Sequence, residues 1–200
     1  ILITGASSGI GLACVKKLSD GNRLILCSRN LSELENVKSE ISSNKDVHIF
    51  AVNVTNQSQV SKMFENLESR NLYPDILINS AGLALGLEKL EDGHIKDWDQ
   101  MIDTNIKGLL MVSKLALKGM KERNSGHIIN IGSIAGIASY SKGVVYAATK
   151  AAVKSISDGI RKEVVENDIK VTNIQPVLVE TNFSNVRFGG DTEKAKNVYK

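Results

Sequence analysis

The 200-residue chain has few of the residues that mark disulfide-rich, metal-binding or nucleic-acid-binding proteins. Its two cysteines, Cys14 and Cys27, cannot form a disulfide scaffold, and with three scattered histidines they make no Cys/His zinc cluster, so no metal is expected. Aromatic residues make up only 4%, and the 25 basic residues are interspersed with 22 acidic ones, which argues against a nucleic-acid partner. This cysteine usage fits a reducing, cytoplasmic compartment.

Long hydrophobic runs are also missing. No apolar run reaches the ~18 to 20 residues of a membrane span, and the first residues lack the basic and apolar regions of a signal peptide. We therefore expect a soluble chain with no membrane partner. Hydrophobic residues make up 42% and charged residues 24%, a balance that supports a folded core.

Short apolar runs alternate with helical patterns along the chain. The runs predict strands at residues 1–4, 23–28, 47–52, 76–79, 127–132 and 170–175. The patterns between them predict helices at residues 10–19, 31–42, 57–69, 95–123 and 144–166. This order predicts an α/β protein with a parallel sheet and helices on both faces. Without a linker or repeat, residues 1–200 are expected to form a single domain.

Both ends of the sequence fall inside a predicted pattern. The chain opens within a hydrophobic strand and closes in a polar helical stretch at residues 192–200. In a doubly wound sheet such a helix usually leads to another strand. We therefore expect that the natural chain extends further and that its C-terminal strand is missing from these residues.

A glycine-rich segment at residues 4–11 follows the first strand and opens the first helix. Gly5 permits a tight turn, Gly9 lets the backbone approach a pyrophosphate, and Gly11 lets helix and strand pack closely. The helix N-terminus offers free N–H groups to phosphates. The strand–loop–helix context favours dinucleotide binding over a plain glycine-rich turn. The candidate cofactor contacts in this loop are Gly5, Ser7, Ser8, Gly9, Ile10 and Gly11.

The end of the second strand indicates which dinucleotide is bound. A site for NAD has an acid there that holds the ribose 2′-hydroxyl. This chain has Ser28, Arg29 and Asn30 instead, and its nearest following acid, Glu33, lies in the next helix. The Arg29 guanidinium can pair with a 2′-phosphate and Ser28 can add a hydroxyl, so NADP is predicted. Alternatively, Arg29 is a solvated loop residue.

Small residues follow the fourth strand, at Asn79, Ser80, Ala81 and Gly82. They leave space for the adenosine side of a cofactor at the carboxyl edge of the sheet. A plain turn after a strand is an equally good explanation of this segment.

Tyr146 and Lys150 are four residues apart on a predicted helix and therefore share one face. A free tyrosine has a pKa near ~10, and a nearby ammonium group would lower the pKa of Tyr146 toward that of a useful base. Ser133 ends the fifth predicted strand, which puts its hydroxyl at the carboxyl edge of the sheet. Asn105 lies within the long predicted helix, an unfavourable position for an uncompensated amide, where it either holds a water or kinks the helix.

Over nearly all of its length the chain resembles the short-chain dehydrogenases/reductases. The resemblance rests on the glycine motif of residues 4–11, on Asn79, Ala81 and Gly82, on Asn105, on Ser133, and on Tyr146 with Lys150. It implies a Rossmann-type doubly wound sheet and hydride transfer by a nicotinamide cofactor. It also implies a homotetramer assembled through the helices at 95–123 and 144–166.

The resemblance assigns a role to each catalytic candidate. Tyr146 would be the general acid/base, and Ser133 would hydrogen-bond the same substrate oxygen. Lys150 would lower the pKa of Tyr146 and hold the nicotinamide ribose, and Asn105 would hold a water in a proton relay. After the sixth strand, Pro176, Val179 and Thr181 match the family's nicotinamide-binding segment.

The chain departs from the family pattern at three places. Asn53 with Val54 replaces the usual Asp-Val that faces the adenine, although an amide can still accept from the adenine amino group. Ser80 replaces the second asparagine of an Asn-Asn pair, which should be a mild change. Val177 replaces a frequent glycine and would stiffen its loop.

The C-terminal part resembles one group within the family, the NADP-dependent 3-hydroxy acid dehydrogenases, which act on serine and L-allo-threonine. Such enzymes oxidise a β-hydroxyl on a short carboxylic acid. Residues 181–200 would cover the substrate, and Arg187 would clamp its carboxylate in a bidentate pair. Alternatively, Arg187 is a surface charge or pairs with Asp191. Gly189 and Gly190 form either a lid hinge or a plain turn.

Two other functions stay open at the level of sequence. One is a broad-specificity NADPH-dependent carbonyl reductase for neutral ketones and aldehydes. The other is a cofactor-binding protein without turnover, against which the intact set of Ser133, Tyr146 and Lys150 argues.

Overall fold

The computed structural model of the protein describes residues 1–41 and 46–193. In this part of the chain one six-stranded parallel sheet has the order β3-β2-β1-β4-β5-β6. The strands are β1 (Leu2–Thr4), β2 (Leu24–Ser28), β3 (Val47–Ala51), β4 (Ile76–Asn79), β5 (Gly126–Ile131) and β6 (Ile169–Ile174). The predicted strands agree with these bounds to within one residue at each end. The predicted α/β class with a doubly wound parallel sheet is confirmed.

Helices connect the strands, and a short helix follows β6. They are α1 (Gly9–Leu18), α2 (Leu31–Glu40), α3 (Gln57–Ser69), α4 (Ile95–Ile102), α5 (Leu109–Arg123), α6 (Val144–Glu163) and α7 (Phe183–Arg187). None of the helices in the described ranges is long and apolar enough to cross a membrane. Residue 42, the predicted end of the second helix, lies outside the described residues, as do positions 194–200 of the predicted helical stretch at 192–200.

The helix predicted over residues 95–123 is observed between those bounds, but it is not α-helical throughout. A π-helical segment, Asp103–Gly108, separates α4 from α5. Gly108 lies so close to the loop after β3 that a Cβ atom there would be 2.8 Å from the Val54 side chain. An apolar pattern with helical spacing does not reveal such an insertion, because the spacing resumes on the other side of it.

Two apolar layers cover the two faces of the sheet. On one face, Leu2, Leu77 and Ile128 pack with side chains of α3 and α5. On the other face, Ile3, Leu26 and Ile78 pack with side chains of α1 and α2. Burying one such side chain stabilises the fold by roughly 1.5–3 kcal/mol, so these strands form a rigid frame. The loops at their carboxyl ends are held at fixed positions by that frame.

Candidate active site

A cavity of about 890 Å³ opens at the carboxyl ends of the strands. It lies at the point where the strand order reverses between β1 and β4, the usual ligand position in such sheets. Every predicted site residue lines this cavity except Gly11, Asn79 and Asn105. Within the described ranges, no group of three or more His, Cys, Asp or Glu side chains is arranged to hold a metal ion.

Gly11 and Asn79 have structural roles inside the protein and do not line the cavity. A Cβ atom on Gly11 would overlap the backbone oxygen of Gly5, so this glycine serves the close packing predicted for it. Asn79 donates to Ser113 Oγ and to Asn130 Oδ1, both at 2.9 Å, and is buried. The side-chain amide of Asn79 therefore joins β4 to α5 and β5, and the predicted cofactor contact of Asn79 stays a prediction.

The glycine loop has the geometry that a pyrophosphate needs. Gly5 has a φ of 65° and packs so tightly that a Cβ atom would lie 2.9 Å from Ala81 Cα. Gly9, also in the left-handed region, begins α1. The side chain of Ser8 does not cap this helix, and the first turn carries no acid. Its N–H groups and positive dipole end therefore face the cavity, ready for an anionic group.

The other end of the cavity lies beside α2. The Asn30 side chain accepts from two backbone N–H groups in the first turn of α2, so its amide oxygen is used as a helix cap. Asn53 Oδ1 likewise accepts from Thr55 N at 3.1 Å. Arg29 is exposed and makes no ion pair with any residue that the structure describes. Arg29 is therefore the cation at the end of β2 that is available to bind a phosphate.

Tyr146 and Lys150 both point into the cavity from α6. Lys150 Nζ lies 5.8 Å from the centroid of the Tyr146 ring and donates to the Ile131 backbone oxygen at 2.8 Å. Gly136 permits this arrangement, because a Cβ there would lie 2.6 Å from the Lys150 backbone. Full burial lowers the pKa of Lys150 to about 8. Ser133 is buried at the end of β5, where its Oγ accepts from Ala135 N at 3.1 Å.

The pKa of Tyr146 is shifted in the direction opposite to the predicted one. Burial raises the pKa of this phenol above its ordinary value, and this effect dominates. A hydrogen bond with Ser133 lowers the pKa, the neighbouring Tyr140 raises it, and the charge of Arg187 lowers it. Lys150 is not among the groups that shift the pKa of Tyr146, so the lowering expected from Lys150 is not observed. Arg187 is thus the cation that opposes the burial of Tyr146.

Asn105 is buried in the π-helical segment and does not reach the cavity surface. Its Nδ2 donates to Leu83 O at 2.8 Å and to Thr149 Oγ1 at 3.0 Å. Its Oδ1 accepts from Leu83 N at 2.9 Å. Both amide hydrogens are therefore used, and only the second acceptor position of Oδ1 remains for a water. Of the two roles considered for Asn105, the helix irregularity is observed, while the water relay stays a prediction.

Arg187 is buried, with 9% of its surface exposed. Its Nε donates to Gly86 O and its Nη1 to Tyr140 Oη, both at 2.9 Å. Its Cζ lies 5.8 Å from the centroid of the Tyr146 ring. Neither alternative from the sequence applies, since Arg187 is not a surface charge and makes no ion pair with Asp191. Within the described chain this buried cation has no anionic partner.

Comparison with known proteins agrees with this geometry. The sequence profile described as "short chain dehydrogenase" matches residues 1–189. The chain belongs to the short-chain dehydrogenase family. The resemblance noted from the sequence motifs is therefore confirmed.

Two relatives and one solved structure show which members of the family this chain is similar to. This short-chain dehydrogenase is 42% identical, over 100% of its length and 80% of the relative, to the NADP-dependent 3-hydroxy acid dehydrogenase YdfG of Escherichia coli. It is 40% identical to the NADP-dependent 3-hydroxy acid dehydrogenase of Schizosaccharomyces pombe, over 100% of this chain and 79% of that one. Among solved structures, the closed form of serine dehydrogenase complexed with NADP+ superposes with a TM-score of 0.96 at 41% identity. It covers 100% of this chain and 80% of that one.

Several residues of this short-chain dehydrogenase site escaped the sequence analysis. Tyr140 and Gly86 hold Arg187, Thr149 holds Asn105, and the Phe183 ring packs 5.7 Å from the Tyr146 ring. Thr149 immediately precedes Lys150, and Phe183 falls within the segment 181–200 that was expected to cover the substrate. Tyr140 and Gly86 had no such signal, because only the fold brings them to Arg187.

Proposed function

We propose that this chain is an NADP-dependent oxidoreductase that transfers a hydride between the nicotinamide and a short 3-hydroxy acid or its carbonyl form. Serine, L-allo-threonine and 3-hydroxypropionate are substrates of the proposed type. The observation that carries the proposal is Arg187, a buried cation without an anionic partner in the described chain, held beside Tyr146. A substrate carboxylate supplies the missing charge. The names of the relatives support the same substrate class.

The cavity has suitable groups for NADP along its whole length. The uncapped N-terminus of α1 holds the pyrophosphate, and Arg29 holds the 2′-phosphate. Lys150 holds the nicotinamide ribose, and Pro176, Val179 and Thr181 line the nicotinamide end. NADP, when bound, supplies the hydride chemistry. The protein provides position and proton transfer.

Three residues of the chain act on the substrate, namely Arg187, Tyr146 and Ser133. Arg187 binds the carboxylate and so fixes which hydroxyl lies next to Tyr146. Tyr146 takes the hydroxyl proton in oxidation and returns it to the carbonyl oxygen in reduction. Ser133 hydrogen-bonds the same oxygen and stabilises the charge that develops there.

A carbonyl reductase for neutral ketones and aldehydes is the second candidate. It is favoured by the apolar residues Val177 and Leu178, which line the cavity and are 71% and 65% exposed. Such side chains would contact an apolar substrate as readily as a cofactor.

Substrate oxidation by the wild-type enzyme distinguishes these functions. The formation of NADPH is measured with L-serine, L-allo-threonine, 3-hydroxypropionate, its neutral analogue 1,3-propanediol and a bulky secondary alcohol. We expect turnover of the acids and much slower turnover of the neutral alcohols. Faster turnover of the neutral alcohols would support the carbonyl reductase. Tight NADPH binding without any turnover would support a non-catalytic protein.

The choice of cofactor depends on Arg29. We expect Arg29→Asp to weaken NADPH binding on the order of 10- to 100-fold, since a charge-assisted hydrogen bond is lost and repulsion is added. NADH binding should improve, because an acid accepts from a ribose 2′-hydroxyl. Fluorescence titration of both cofactors measures this, with Lys38→Asp on the exposed side of α2 as the control. Unchanged NADPH affinity in Arg29→Asp would show that Arg29 does not contact the phosphate.

The assembly and location of the enzyme also belong to this proposal. Ile95 on α4 is 61% exposed, and Leu110 on α5 and Val144 on α6 are exposed too. We propose that these helices pair in a homotetramer, which acts in the cytoplasm. Light scattering on the purified enzyme tests the assembly, and a monomeric mass would contradict it.

A further inference from the structure

The guanidinium of Arg187 is held by two groups from distant parts of the chain. One is the backbone oxygen of Gly86, in the loop after β4, and the other is the hydroxyl of Tyr140, in the loop before α6. The two hydrogen bonds hold different nitrogen atoms of the guanidinium. Gly86 O accepts from Nε near the base of the group, whereas Tyr140 Oη accepts from Nη1 at its end. Two points of attachment fix the rotation of the guanidinium plane, which a single bond leaves open.

These bonds also determine which edge of the guanidinium is left for a ligand. Both hydrogens of Nη2 and one of Nη1 have no partner within the described chain. A carboxylate can bind a guanidinium through Nε and one Nη, or end-on through both Nη atoms. The first edge is occupied by Gly86. The two hydrogens of Nη2 and the one unused hydrogen of Nη1 therefore remain for a substrate carboxylate.

The two holding groups are themselves fixed by glycines. A Cβ atom on Gly143 would overlap the Tyr140 ring, so the ring lies directly on that backbone. The Tyr140 ring also stacks against the guanidinium, with its centroid 5.6 Å from Arg187 Cζ. Gly86 adopts a φ of 68° and returns a bond, since its N–H donates to Arg187 O at 3.1 Å. Arg187 is thus tied by its backbone as well as by its side chain.

We propose that Tyr140 is a positioning residue that sets the preference for carboxylate-bearing substrates, because its hydroxyl holds the Arg187 guanidinium in one orientation and leaves Nη2 for the carboxylate. This inference rests on the proposed function, in which Arg187 binds the substrate carboxylate. Tyr140 acts through Arg187 and takes no part in proton transfer. Its hydroxyl matters for acids and much less for neutral alcohols.

The test compares Tyr140→Phe with the wild type on a matched pair of substrates. The pair is 3-hydroxypropionate and 1,3-propanediol, which differ only in whether the far end is a carboxylate. We expect the ratio of kcat/KM for acid over diol to fall about tenfold, the usual effect of losing one hydrogen bond to a charged group. The change should appear mainly in KM for the acid. Tyr73→Phe is the matched control, because Tyr73 stacks on Arg123 at 5.2 Å and does not line the cavity.

The same measurement in an Arg187→Leu background shows whether Tyr140 changes the acid/diol ratio through Arg187 or independently of it. If Tyr140 acts through Arg187, adding Tyr140→Phe to Arg187→Leu leaves the acid/diol ratio where Arg187→Leu put it. An unchanged ratio in Tyr140→Phe alone, or a further tenfold fall in the double variant, would overturn the proposal while leaving the Arg187 clamp intact. If Arg187→Leu itself affects acid and diol equally, the clamp fails, and the proposal fails with it.

Gly143→Ala provides a second route to the same result. Gly143 has a φ of −119°, which alanine adopts without strain, so only the overlap with the Tyr140 ring is introduced. We expect the acid/diol ratio to fall as it does in Tyr140→Phe. A normal ratio in Gly143→Ala together with a normal ratio in Tyr140→Phe would exclude any role for the ring in positioning Arg187.

Discussion

Tyr146 and Arg187 lie next to each other in the cavity, one a neutral phenol and the other a cation. Tyr146 is buried, which raises the pKa of its phenol and keeps the proton on it. A protonated tyrosine is the form that donates to a carbonyl in reduction, whereas oxidation of an alcohol needs the phenolate. Ser133 and Arg187 favour that phenolate. If Arg187 binds the substrate carboxylate as proposed, it would link recognition of the substrate to the charge state of Tyr146.

Removal of the Tyr146 hydroxyl tests its catalytic role. We expect Tyr146→Phe to lower turnover by roughly 100- to 10,000-fold, the range usual for general acid/base groups. NADPH binding should persist, because the ring still packs against Phe183. Steady-state turnover and cofactor titration measure the two effects separately, with Tyr73→Phe as the control. Retained activity would exclude Tyr146 as the proton-transfer group.

The influence of Arg187 on Tyr146 predicts a change in pH dependence. Arg187 lowers the pKa of Tyr146, so Arg187→Leu should raise that pKa further. Oxidation needs the deprotonated phenol, and its rate rises as pH passes the pKa of Tyr146. The rising limb of the profile should therefore move to higher pH in Arg187→Leu.

The profile is best recorded with 1,3-propanediol, which has no carboxylate and so does not report on loss of the clamp. Arg187→Lys keeps the charge and serves as the control. A limb that stays in place, or moves to lower pH, would show that Arg187 does not favour the phenolate.

For individual residues, the sequence indicated the catalytic candidates but not the residues that contact them. Tyr146 and Lys150 are recognisable because they are four residues apart on one helix face. The partners of Arg187 were not predictable, because Gly86 lies 101 and Tyr140 47 residues away along the chain. The direction of the Tyr146 pKa shift also depends on burial, which a local spacing does not report.

Among the elements, the π-helical segment Asp103–Gly108 is the one that connects the sheet edge with the catalytic helix. It carries Asn105, which bonds the loop after β4 through Leu83 and α6 through Thr149. Gly82 lies close to both Asn105 and Lys150, since a Cβ on Gly82 would lie 3.2 Å from Asn105 Oδ1 and 3.6 Å from Lys150 Nζ. π-helical insertions are often found at such functional positions.

The stability of this junction depends on Asn105. We expect Asn105→Ala to lower the free energy of unfolding by about 2–4 kcal/mol, because buried groups of Leu83 and Thr149 lose their partner. Asn66→Ala, at an exposed position of α3, should change it by less than about 0.5 kcal/mol. Urea titration followed by circular dichroism measures both. Equal stability of the two variants would contradict the structural role assigned to Asn105.

For the molecule as a whole, the apolar runs were sufficient to predict the fold class. Strands buried on both faces have nearly continuous apolar sequences, and the βαβα order requires a parallel sheet. The interior role of Asn79 was not predictable in the same way. It depends on the hydrogen bonds to Ser113 and Asn130, which arise only when β4, β5 and α5 are packed together.

We propose that one buried arginine, Arg187, selects carboxylate-bearing alcohols for Tyr146, which would remove their proton. The most direct measurement is kcat/KM for 3-hydroxypropionate and 1,3-propanediol, with NADP, in the wild type and in Arg187→Leu. We expect the wild type to prefer the acid strongly, and Arg187→Leu to lose on the order of 100-fold in that preference, as a charge-assisted pair is removed. A preference that is equal in both enzymes would contradict the account.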